Sequence, residues 1–253
     1  MVGRNAVLIT GGARRLGRAI ALDLATAEWD VAIHYHSSRH AAEATLADIE
    51  AAGRRGVVLQ ADLSDLLAVE SLVPGATKAI GPITALVTCA STFEPDELDS
   101  LTGASFEAQM AVNLRAPIFL AQALARHLPP GRSGAIVNLI DQRVLKPTPK
   151  FFSYTLSKLA LWQATQTLAQ SLAPSIRVNA VAPGPSLRGE RQTEANFRRQ
   201  IDATLLRRPS GPEDIAAAVR YLLTAGAVTG HMLTVDCGQH LIWQTPDVVG
   251  VPE

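Results

Sequence analysis

A tyrosine and a lysine four residues apart, Tyr154 and Lys158, have the types and spacing to do chemistry together. On a helix the two side chains would lie one turn apart on the same face. A free phenol has a pKa of about 10 and gives up its proton reluctantly at neutral pH. A nearby ammonium group favours the phenolate and lowers that pKa. The pair therefore predicts a tyrosine that exchanges a proton with a bound molecule.

A carboxyl group precedes this pair in the sequence, because Asp141 directly follows the apolar run IVNLI at residues 136–140. A strand that ends there would place Asp141 where it can face Tyr154. Burial and a neighbouring anion would raise its pKa, so that it could supply a proton at neutral pH. A carboxyl can also form two parallel hydrogen bonds with an amino-amidine edge. The alternative is that Asp141 only caps a loop and another group orients the substrate.

Composition limits the classes of protein that could carry these residues. The chain has 253 residues, 47% of them hydrophobic, and can bury a sizeable core. Lys plus Arg and Asp plus Glu number 23 each, which argues against a general binder of nucleic acid or anionic membranes. Two cysteines form neither a disulfide framework nor a C-x-x-C pair for zinc. We expect a small-molecule substrate, no metal and a reducing compartment.

Targeting and membrane signals are not found in the sequence. The N-terminal segment has neither the long apolar region nor the small-residue cleavage site of a signal peptide. No apolar run approaches the roughly 18 residues that span a bilayer. We expect a cytoplasmic protein without membrane contact, built as one domain over residues 1–253 with residues 239–253 as a C-terminal tail.

Short β-branched runs alternate with longer amphipathic stretches along the chain. Apolar residues recur at helical spacing within those stretches. Strands that read as continuous apolar runs, each followed by a helix, indicate a parallel sheet covered on both faces. The sequence predicts an α/β fold, a doubly wound parallel sheet (Rossmann fold) of about seven strands with helices on both faces. The strands are expected at residues 5–10, 30–36, 56–61, 83–89, 134–140, 176–182 and 232–236.

A glycine-rich turn, TGGARRLG, runs from Thr10 to Gly17 between the first predicted strand and the first helix. Backbone amides in such a turn can approach a pyrophosphate at the positive end of the helix. The two arginines point to a small anionic ligand. The alternative is a tight turn that binds no ligand.

The order of motifs along residues 5–238 resembles the short-chain dehydrogenase/reductase family. The TGGARRLG turn is similar to that family's T-G-x-x-x-G-x-G loop, with Arg15 in the place of the middle glycine. Tyr154 and Lys158 match its Y-x-x-x-K pair, and TGHMLTVDCG is similar to its closing strand, with Cys237 in place of a glycine.

This resemblance implies a nicotinamide cofactor and a role for each matching residue. Tyr154 would donate a proton as the hydride arrives, Lys158 would tune the phenol and bind the cofactor ribose, and Asn113 would extend a proton relay. The resemblance also assigns Asp62 to the adenine and the Pro183–Gly184 turn to the nicotinamide. Residues expected to bind the cofactor are Gly11, Arg14, Arg15, Leu16, Gly17, His36, Ser37, Ser38, Asp62, Leu63, Ala90, Ser91, Tyr154, Lys158, Pro183 and Gly184.

The second predicted strand ends in HYHSSRH, and no acid follows it before Glu43. An acid here would bind the ribose 2′-hydroxyl of NAD, whereas hydroxyl and basic groups accept the 2′-phosphate of NADP. Ser37 and Ser38, together with Arg14, therefore favour NADPH. The alternative for either serine is a cap on the helix that begins at Arg39, which is compatible with both roles.

The fourth strand departs from the family pattern. Where the family usually has N-N-A-G, this chain has TCAS at residues 88–91. The lost asparagines stabilise the central strand, so other groups must fill their structural role. We interpret Cys89 as a small buried hydrophobe rather than as a reactive thiol.

Within the family, the chain resembles the pteridine reductase branch. Asp141 stands where most of the superfamily has a serine, and Arg15, the HYH segment and the sequence ASTF ending at Phe93 all match the branch. In that branch the phenylalanine stacks on the pterin, and Phe93 would do so here. The alternative for Phe93 is a core aromatic. One departure is Ser37, where the branch commonly has an arginine.

The resulting expectation is an NADPH-dependent reductase of a pterin-like C=N bond. Its catalytic residues would be Asp141, Tyr154, Lys158 and Asn113. Substrate would contact Arg15, Ser91, Phe93, Asp141 and Tyr154.

Two rival functions stay open, a carbonyl reductase acting on a 3-oxoacyl or other ketone substrate and a non-catalytic NADP-sensing regulator. The basic segment 184–200 is either a loop that covers the substrate or a solvated helix face. By resemblance, helices at 105–125 and 153–172 would pair subunits into a homotetramer.

Overall fold

Seven parallel strands form one sheet in the computed structural model, which describes residues 5–250. Their order across the sheet is β3-β2-β1-β4-β5-β6-β7. The strands are β1 Ala6–Thr10, β2 Asp30–Tyr35, β3 Gly56–Gln60, β4 Ala85–Thr88, β5 Gly134–Leu139, β6 Ile176–Pro183 and β7 Met232–Val235. Each of the seven predicted strands is present, with ends that differ by two residues or fewer.

Eight α-helices connect or follow the strands. They are α1 Arg15–Thr26, α2 Arg39–Ala51, α3 Leu66–Ile80, α4 Gly103–Met110, α5 Ala116–His127, α6 Phe152–Leu172, α7 Glu194–Asp202 and α8 Pro212–Thr224. A π-helical turn, Ala111–Arg115, joins α4 to α5, and short 3-10 turns lie at Leu98–Ser100, Gln142–Val144 and Gln239–Leu241.

The helices cover both faces of the sheet because alternate strand residues point to opposite sides. In β1, Val7 and Ile9 pack in a buried layer with α1 and α8, whereas Ala6 and Leu8 pack with α3 and α5. The five inner strands, β2, β1, β4, β5 and β6, are largely buried on both faces, which explains why they read as continuous apolar runs. The predicted doubly wound fold is confirmed.

The strand order reverses between β1 and β4, since β1 pairs with β2 on one side and with β4 on the other. Ligands of such sheets bind in the crevice outside the carboxyl ends of the strands at this switch point. The chain leaves β1 into the glycine turn, β4 into residues 89–93, β5 into Asp141 and β6 into Gly184. The fold therefore brings the candidate residues to one edge.

The C-terminal tail continues past β7 along the surface. Lys146 Nζ donates a hydrogen bond to the Ile242 carbonyl, 3.3 Å away, while the Leu241 and Trp243 side chains are exposed. Residues 251–253 of the predicted tail lie outside the described part of the chain. Across residues 5–250, no helix is both long and apolar enough to cross a membrane.

Candidate active site

The glycine turn has a backbone that only small residues permit. Gly11 has a positive φ of 67°, and a Cβ there would lie 2.9 Å from the Ala90 Cα. A Cβ at Gly17 would lie 2.1 Å from the Gly11 carbonyl oxygen. Arg14 precedes α1 without a side-chain cap, so the first amides of the helix are open toward the crevice. This cradle suits the pyrophosphate of a dinucleotide.

A buried histidine fixes the turn from the neighbouring strand. The Gly11 N–H donates to His34 Nδ1 at 3.2 Å, and His34 Nε2 donates to the Ala61 carbonyl at 3.1 Å. Burial lowers the pKa of His34. A neutral ring leaves Nδ1 free to accept. The HYH segment was part of the predicted resemblance, but this structural role of His34 was not predicted.

Arg15 ties the turn to the segment that follows β6. Its φ is +54°, a left-handed conformation that the family's glycine would adopt at lower cost. The guanidinium donates to the backbone carbonyls of Leu187, at 3.2 Å, and Arg188, at 3.1 Å. Arg15 therefore bridges the glycine turn and the segment after β6 at the edge of the crevice.

A cleft of about 500 Å³ opens at this edge of the sheet. Most predicted site residues line it, namely Gly11, Arg14, Arg15, Leu16, Gly17, His36, Ser37, Ser38, Ala90, Ser91, Asp141, Tyr154, Lys158, Pro183 and Gly184. Other lining residues were not predicted as site residues, namely Ala13, His34, Tyr35, Cys89, Leu139, Ile140, Ser186 and Leu187.

Four predicted residues lie outside the cleft lining: Asp62, Leu63, Phe93 and Asn113. Leu63 is buried in the core, and Asp62 Oδ1 accepts two hydrogen bonds from Ser64, each 2.8 Å long. Asp62 Oδ2 is 4.0 Å from His36 Nε2 at the rim. The assignment of Asp62 and Leu63 as cofactor contacts stays a prediction.

Asp141 and Tyr154 face each other inside the cleft. Tyr154 Oη donates to Asp141 Oδ2 at 2.9 Å, and the other carboxyl oxygen, Oδ1, accepts from the Arg143 N–H at 2.9 Å. Burial raises the pKa of Asp141, an effect that the hydrogen bond from the Arg143 backbone partly offsets. The carboxyl therefore caps the 3-10 turn and also contacts the phenol, so a role confined to capping does not account for it.

Lys158 is buried beside this pair. Its Nζ donates to the Leu139 carbonyl at 2.8 Å and lies 5.7 Å from the centroid of the Tyr154 ring. Desolvation lowers the pKa of Lys158 to about 8. The expected lowering of the Tyr154 pKa is nevertheless not found. Burial first, and then the charge and hydrogen bond of Asp141, raise the phenol pKa well above its ordinary value.

Asn113 is fully buried in the π-helical turn. Its Oδ1 accepts from Ser91 Oγ at 3.0 Å and from the Thr92 N–H at 2.8 Å. Its Nδ2 donates to the Thr92 carbonyl at 2.9 Å and to Ser157 Oγ at 3.1 Å. All four hydrogen-bonding positions of the amide are occupied. These hydrogen bonds hold the loop after β4, and the predicted part of Asn113 in a proton relay stays a prediction.

The structural role of the lost asparagines is filled from the neighbouring strand. Thr88 Oγ1 donates to Asn138 Oδ1 at 2.7 Å, and Asn138 Nδ2 donates to Thr165 Oγ1 at 2.9 Å. This chain of hydrogen bonds joins β4, β5 and α6. Burial raises the pKa of Cys89 to about 11, so the group is a thiol at neutral pH, in agreement with the predicted hydrophobic role.

Phe93 belongs to an aromatic cluster at the mouth of the cleft. Its ring stacks on Phe151 with centroids 4.2 Å apart and meets Tyr154 edge-on at 4.6 Å. Phe93 is 38% exposed, so the alternative of a core aromatic is wrong. Phe151 was not predicted. It precedes α6 with a φ of +55°, which is rare for a bulky residue and characteristic of functional sites.

The segment after β6 crosses the cleft and is fastened at both sides. Arg15 holds residues 187 and 188, as described above. Farther along, Arg191 Nη1 donates to Glu94 Oε2 at 2.7 Å, and Arg191 Nη2 donates to the Phe93 carbonyl. In contrast, Arg198 pairs with Asp202 on an exposed face of α7. A solvated helix face is therefore found at Arg198, and a substrate-covering role for the preceding part of the segment stays a prediction.

The crevice thus brings a dinucleotide cradle within reach of a group that can donate a proton. This is the arrangement of an oxidoreductase that works with a dinucleotide cofactor.

Sequence comparison identifies the family. The model of the family described as Enoyl-(Acyl carrier protein) reductase matches residues 11–240, and the chain belongs to this family of short-chain dehydrogenases/reductases. The resemblance predicted from the motifs is confirmed.

Several relatives carry more specific names. The structure of FolM alternative dihydrofolate reductase 1 from Brucella canis, complexed with NADP, is 46% identical with a TM-score of 0.91, covering 97% of this chain and 98% of that one. A short-chain dehydrogenase from Burkholderia cenocepacia J2315, in complex with NADP, is 37% identical with a TM-score of 0.86, covering 93% and 97%. Dihydromonapterin reductase of Shigella boydii serotype 4 is 29% identical over 238 residues, covering 93% and 96%.

Proposed function

We propose that the protein is an NADPH-dependent reductase of a C=N bond in a pterin-like ring, such as a dihydropterin or a dihydrofolate. The observation that carries this proposal is the 2.9 Å hydrogen bond from Tyr154 to Asp141 within the cleft. Burial raises the pKa of this carboxyl and so favours its protonated form, whereas a serine in its place could not supply a proton. The names of the dihydrofolate and dihydromonapterin reductases support the same substrate class.

NADPH would lie along the cleft with its pyrophosphate against the glycine turn. Ser37, Ser38 and Arg14 line the cleft and would accept the 2′-phosphate, since hydroxyl and guanidinium groups donate to phosphate oxygens. Lys158 and the Pro183–Gly184 turn would contact the nicotinamide half. The NADP held by the Brucella and Burkholderia relatives supports this choice of cofactor.

In the proposed reaction, one hydride and one proton convert a ring C=N into CH–NH. NADPH supplies the hydride when it is bound. Tyr154 donates its proton to the ring nitrogen, and the protonated Asp141 replaces it across their hydrogen bond. Lys158, which bonds to the Leu139 carbonyl, places a positive charge near the phenolate that forms.

Oxidation of NADPH by pterins tests the proposal directly. The purified protein should consume NADPH with an oxidised pterin, followed by the loss of nicotinamide absorbance. If neither dihydropterin nor dihydrofolate is reduced, the substrate assignment is wrong. Reduction of 3-oxoacyl or other ketones instead would favour the carbonyl reductase. NADPH binding without any turnover would favour the sensing regulator.

Exchange of the carboxyl for the hydroxyl that most of the superfamily carries gives a second test. Asp141→Ser should lower kcat for pterins about 100-fold or more, because the group that resupplies the proton is lost. Ketone reduction should rise in the same variant. Unchanged pterin turnover would contradict the proposed role of Asp141.

We also propose that the protein works in the cytoplasm as a homotetramer in which helices at 105–125 and 153–172 pack between copies. Leu156 on α6 is a partly exposed leucine that such packing would cover. Light scattering coupled to size exclusion would measure the mass in solution, and a monomeric mass would contradict this assembly.

A further inference from the structure

Arg143 lies at the mouth of the cleft, against the aromatic cluster. Its guanidinium carbon is 5.5 Å from the centroid of the Phe93 ring and 5.0 Å from that of Phe151. Its own backbone N–H donates to Asp141 Oδ1 at 2.9 Å. The positive charge is therefore placed close to the two side chains, Asp141 and Tyr154, that would act on the substrate ring.

The Arg143 side chain makes no hydrogen bond and no ion pair within residues 5–250, although it could donate five. The neighbouring arginines differ in this respect. Arg15 and Arg188 donate to backbone carbonyls, and Arg191 donates to both a carboxylate and a carbonyl. Contact with the aromatic rings holds the Arg143 head group and leaves its N–H edges free to bind a ligand.

Acidic groups near this charge are engaged elsewhere. Glu94 Oε2 accepts from Arg191, and both oxygens of the buried Asp96 accept from the Ser153 N–H at the start of α6. Asp141 accepts from Tyr154 and from the Arg143 backbone, and burial favours its neutral form. Within the described part of the chain, no salt bridge joins a carboxylate to the Arg143 side chain, although the Arg143 charge opposes the rise in the pKa of nearby Asp141.

We propose that Arg143 binds a carboxylate carried by a substituent of the substrate ring, so that the enzyme prefers anionic ring substrates over neutral ones. This inference rests on the proposed function and names the substrate class more closely. A ring that contacts Asp141 and Tyr154 while it lies against Phe93 would direct a substituent outward past the aromatic cluster. The planar guanidinium there matches a carboxylate with two parallel hydrogen bonds.

A purely structural role for Arg143 makes a different prediction. If the side chain only orders Phe93 and Phe151, or only shifts the pKa of Asp141, its loss would weaken neutral and anionic ligands equally. If Arg143 instead recognises a carboxylate, its loss would weaken the binding of the anionic ligand alone. A pair of ligands that differ only in that group separates the two roles.

The experiment compares a pterin whose substituent ends in a carboxylate with the corresponding carboxamide. Dissociation constants are measured by fluorescence titration in the presence of NADP, so that turnover is not needed. The wild-type protein should bind the carboxylate about tenfold more tightly than the carboxamide, a preference that falls as salt is added. Arg143→Met, which keeps an apolar stem against the rings, should abolish the preference. Arg143→Lys should retain part of it.

Arg198→Met is the matched control, because Arg198 is an arginine on an exposed face of α7 that pairs with Asp202. It should keep the full preference. Equal binding of the two ligands by the wild-type protein would overturn this inference and leave the proposed function intact, as would an unchanged preference in Arg143→Met or an equal loss of affinity for both ligands. Binding of neither ligand to the wild-type protein would overturn the inference and the proposed pterin reductase together.

Discussion

The two halves of the cleft are built by different means. In the cofactor half, the glycine turn is shaped by backbone geometry and held by hydrogen bonds to His34 in the adjacent strand. In the substrate half, side chains from three loops meet: Phe93 follows β4, Arg143 and Phe151 lie between β5 and α6, and Arg191 lies between β6 and α7. A site made by backbone tolerates little change in residue type, whereas a site made by side chains can be re-specified by single substitutions.

Breaking the cofactor half should have the largest effect. Gly17→Ala places a Cβ 2.1 Å from the Gly11 carbonyl oxygen, so the turn must open and its amides must leave the pyrophosphate. NADPH binding should weaken about 1,000-fold, equivalent to about 4 kcal/mol. Isothermal titration measures it. Gly103→Ala is the control, since a Cβ there meets no atom within 4 Å. An unchanged affinity of Gly17→Ala for NADPH would contradict the proposed binding of the pyrophosphate by the glycine turn.

Lys158 lies where the halves meet, and its buried charge should make stability depend on pH. The folded pKa of about 8 is below the ordinary 10.5, so the unfolded chain binds more protons between these values. Stability therefore rises with pH through this window and is lost as pH falls toward 8. Relative to Lys158→Met, the free energy of unfolding of the wild-type protein should rise by on the order of 2 kcal/mol between about pH 7 and about pH 10.

Urea unfolding of both proteins at the two pH values measures this difference. The Met variant is matched in length and lacks only the titrating group. A stability difference that does not change with pH would mean that the lysine is solvated in the folded protein.

Loosening the substrate half should have the smallest effect. Arg191→Gln removes the ion pair with Glu94 and weakens the hold on the Phe93 carbonyl. Because the pair is exposed, we expect KM for the pterin to rise only about threefold to tenfold, with the dissociation constant of NADPH unchanged. Steady-state kinetics would detect this split, and Arg198→Gln should change neither quantity. Weaker NADPH binding by Arg191→Gln would contradict the division of the cleft into a cofactor half and a substrate half that are built separately.

The same division explains what could be predicted from the sequence. The strands and the glycine turn were confirmed, because continuous apolar runs and glycine spacing are local patterns. The contact of Asp141 with Tyr154 was also predicted, because it depends only on where one strand ends and where the next helix lies.

The remaining features depend on distances between segments that are far apart in the chain. Arg143, Phe151 and Arg191 form no pattern with Phe93, and only the aromatic residues at 151 and 152, where the tyrosine helix begins, could have pointed to the cluster. The hydrogen bonds by which Asn113 holds the loop after β4 were not predicted either, because the partners lie far from it in the sequence. The predicted direction of the Tyr154 pKa shift was wrong, because burial and the adjacent carboxyl raise that pKa.

The segment after β6 has a thermodynamic consequence, because one stretch of chain is bonded to both halves. Arg15 of the glycine turn holds it at residues 187 and 188, and its own Arg191 holds the Phe93 loop. A ligand that orders the turn lowers the entropic cost of ordering the loop. The affinities for the cofactor and for the substrate are then linked. Because such linkage is reciprocal, the factor by which the bound cofactor raises the affinity for the substrate equals the factor by which the bound substrate raises the affinity for the cofactor.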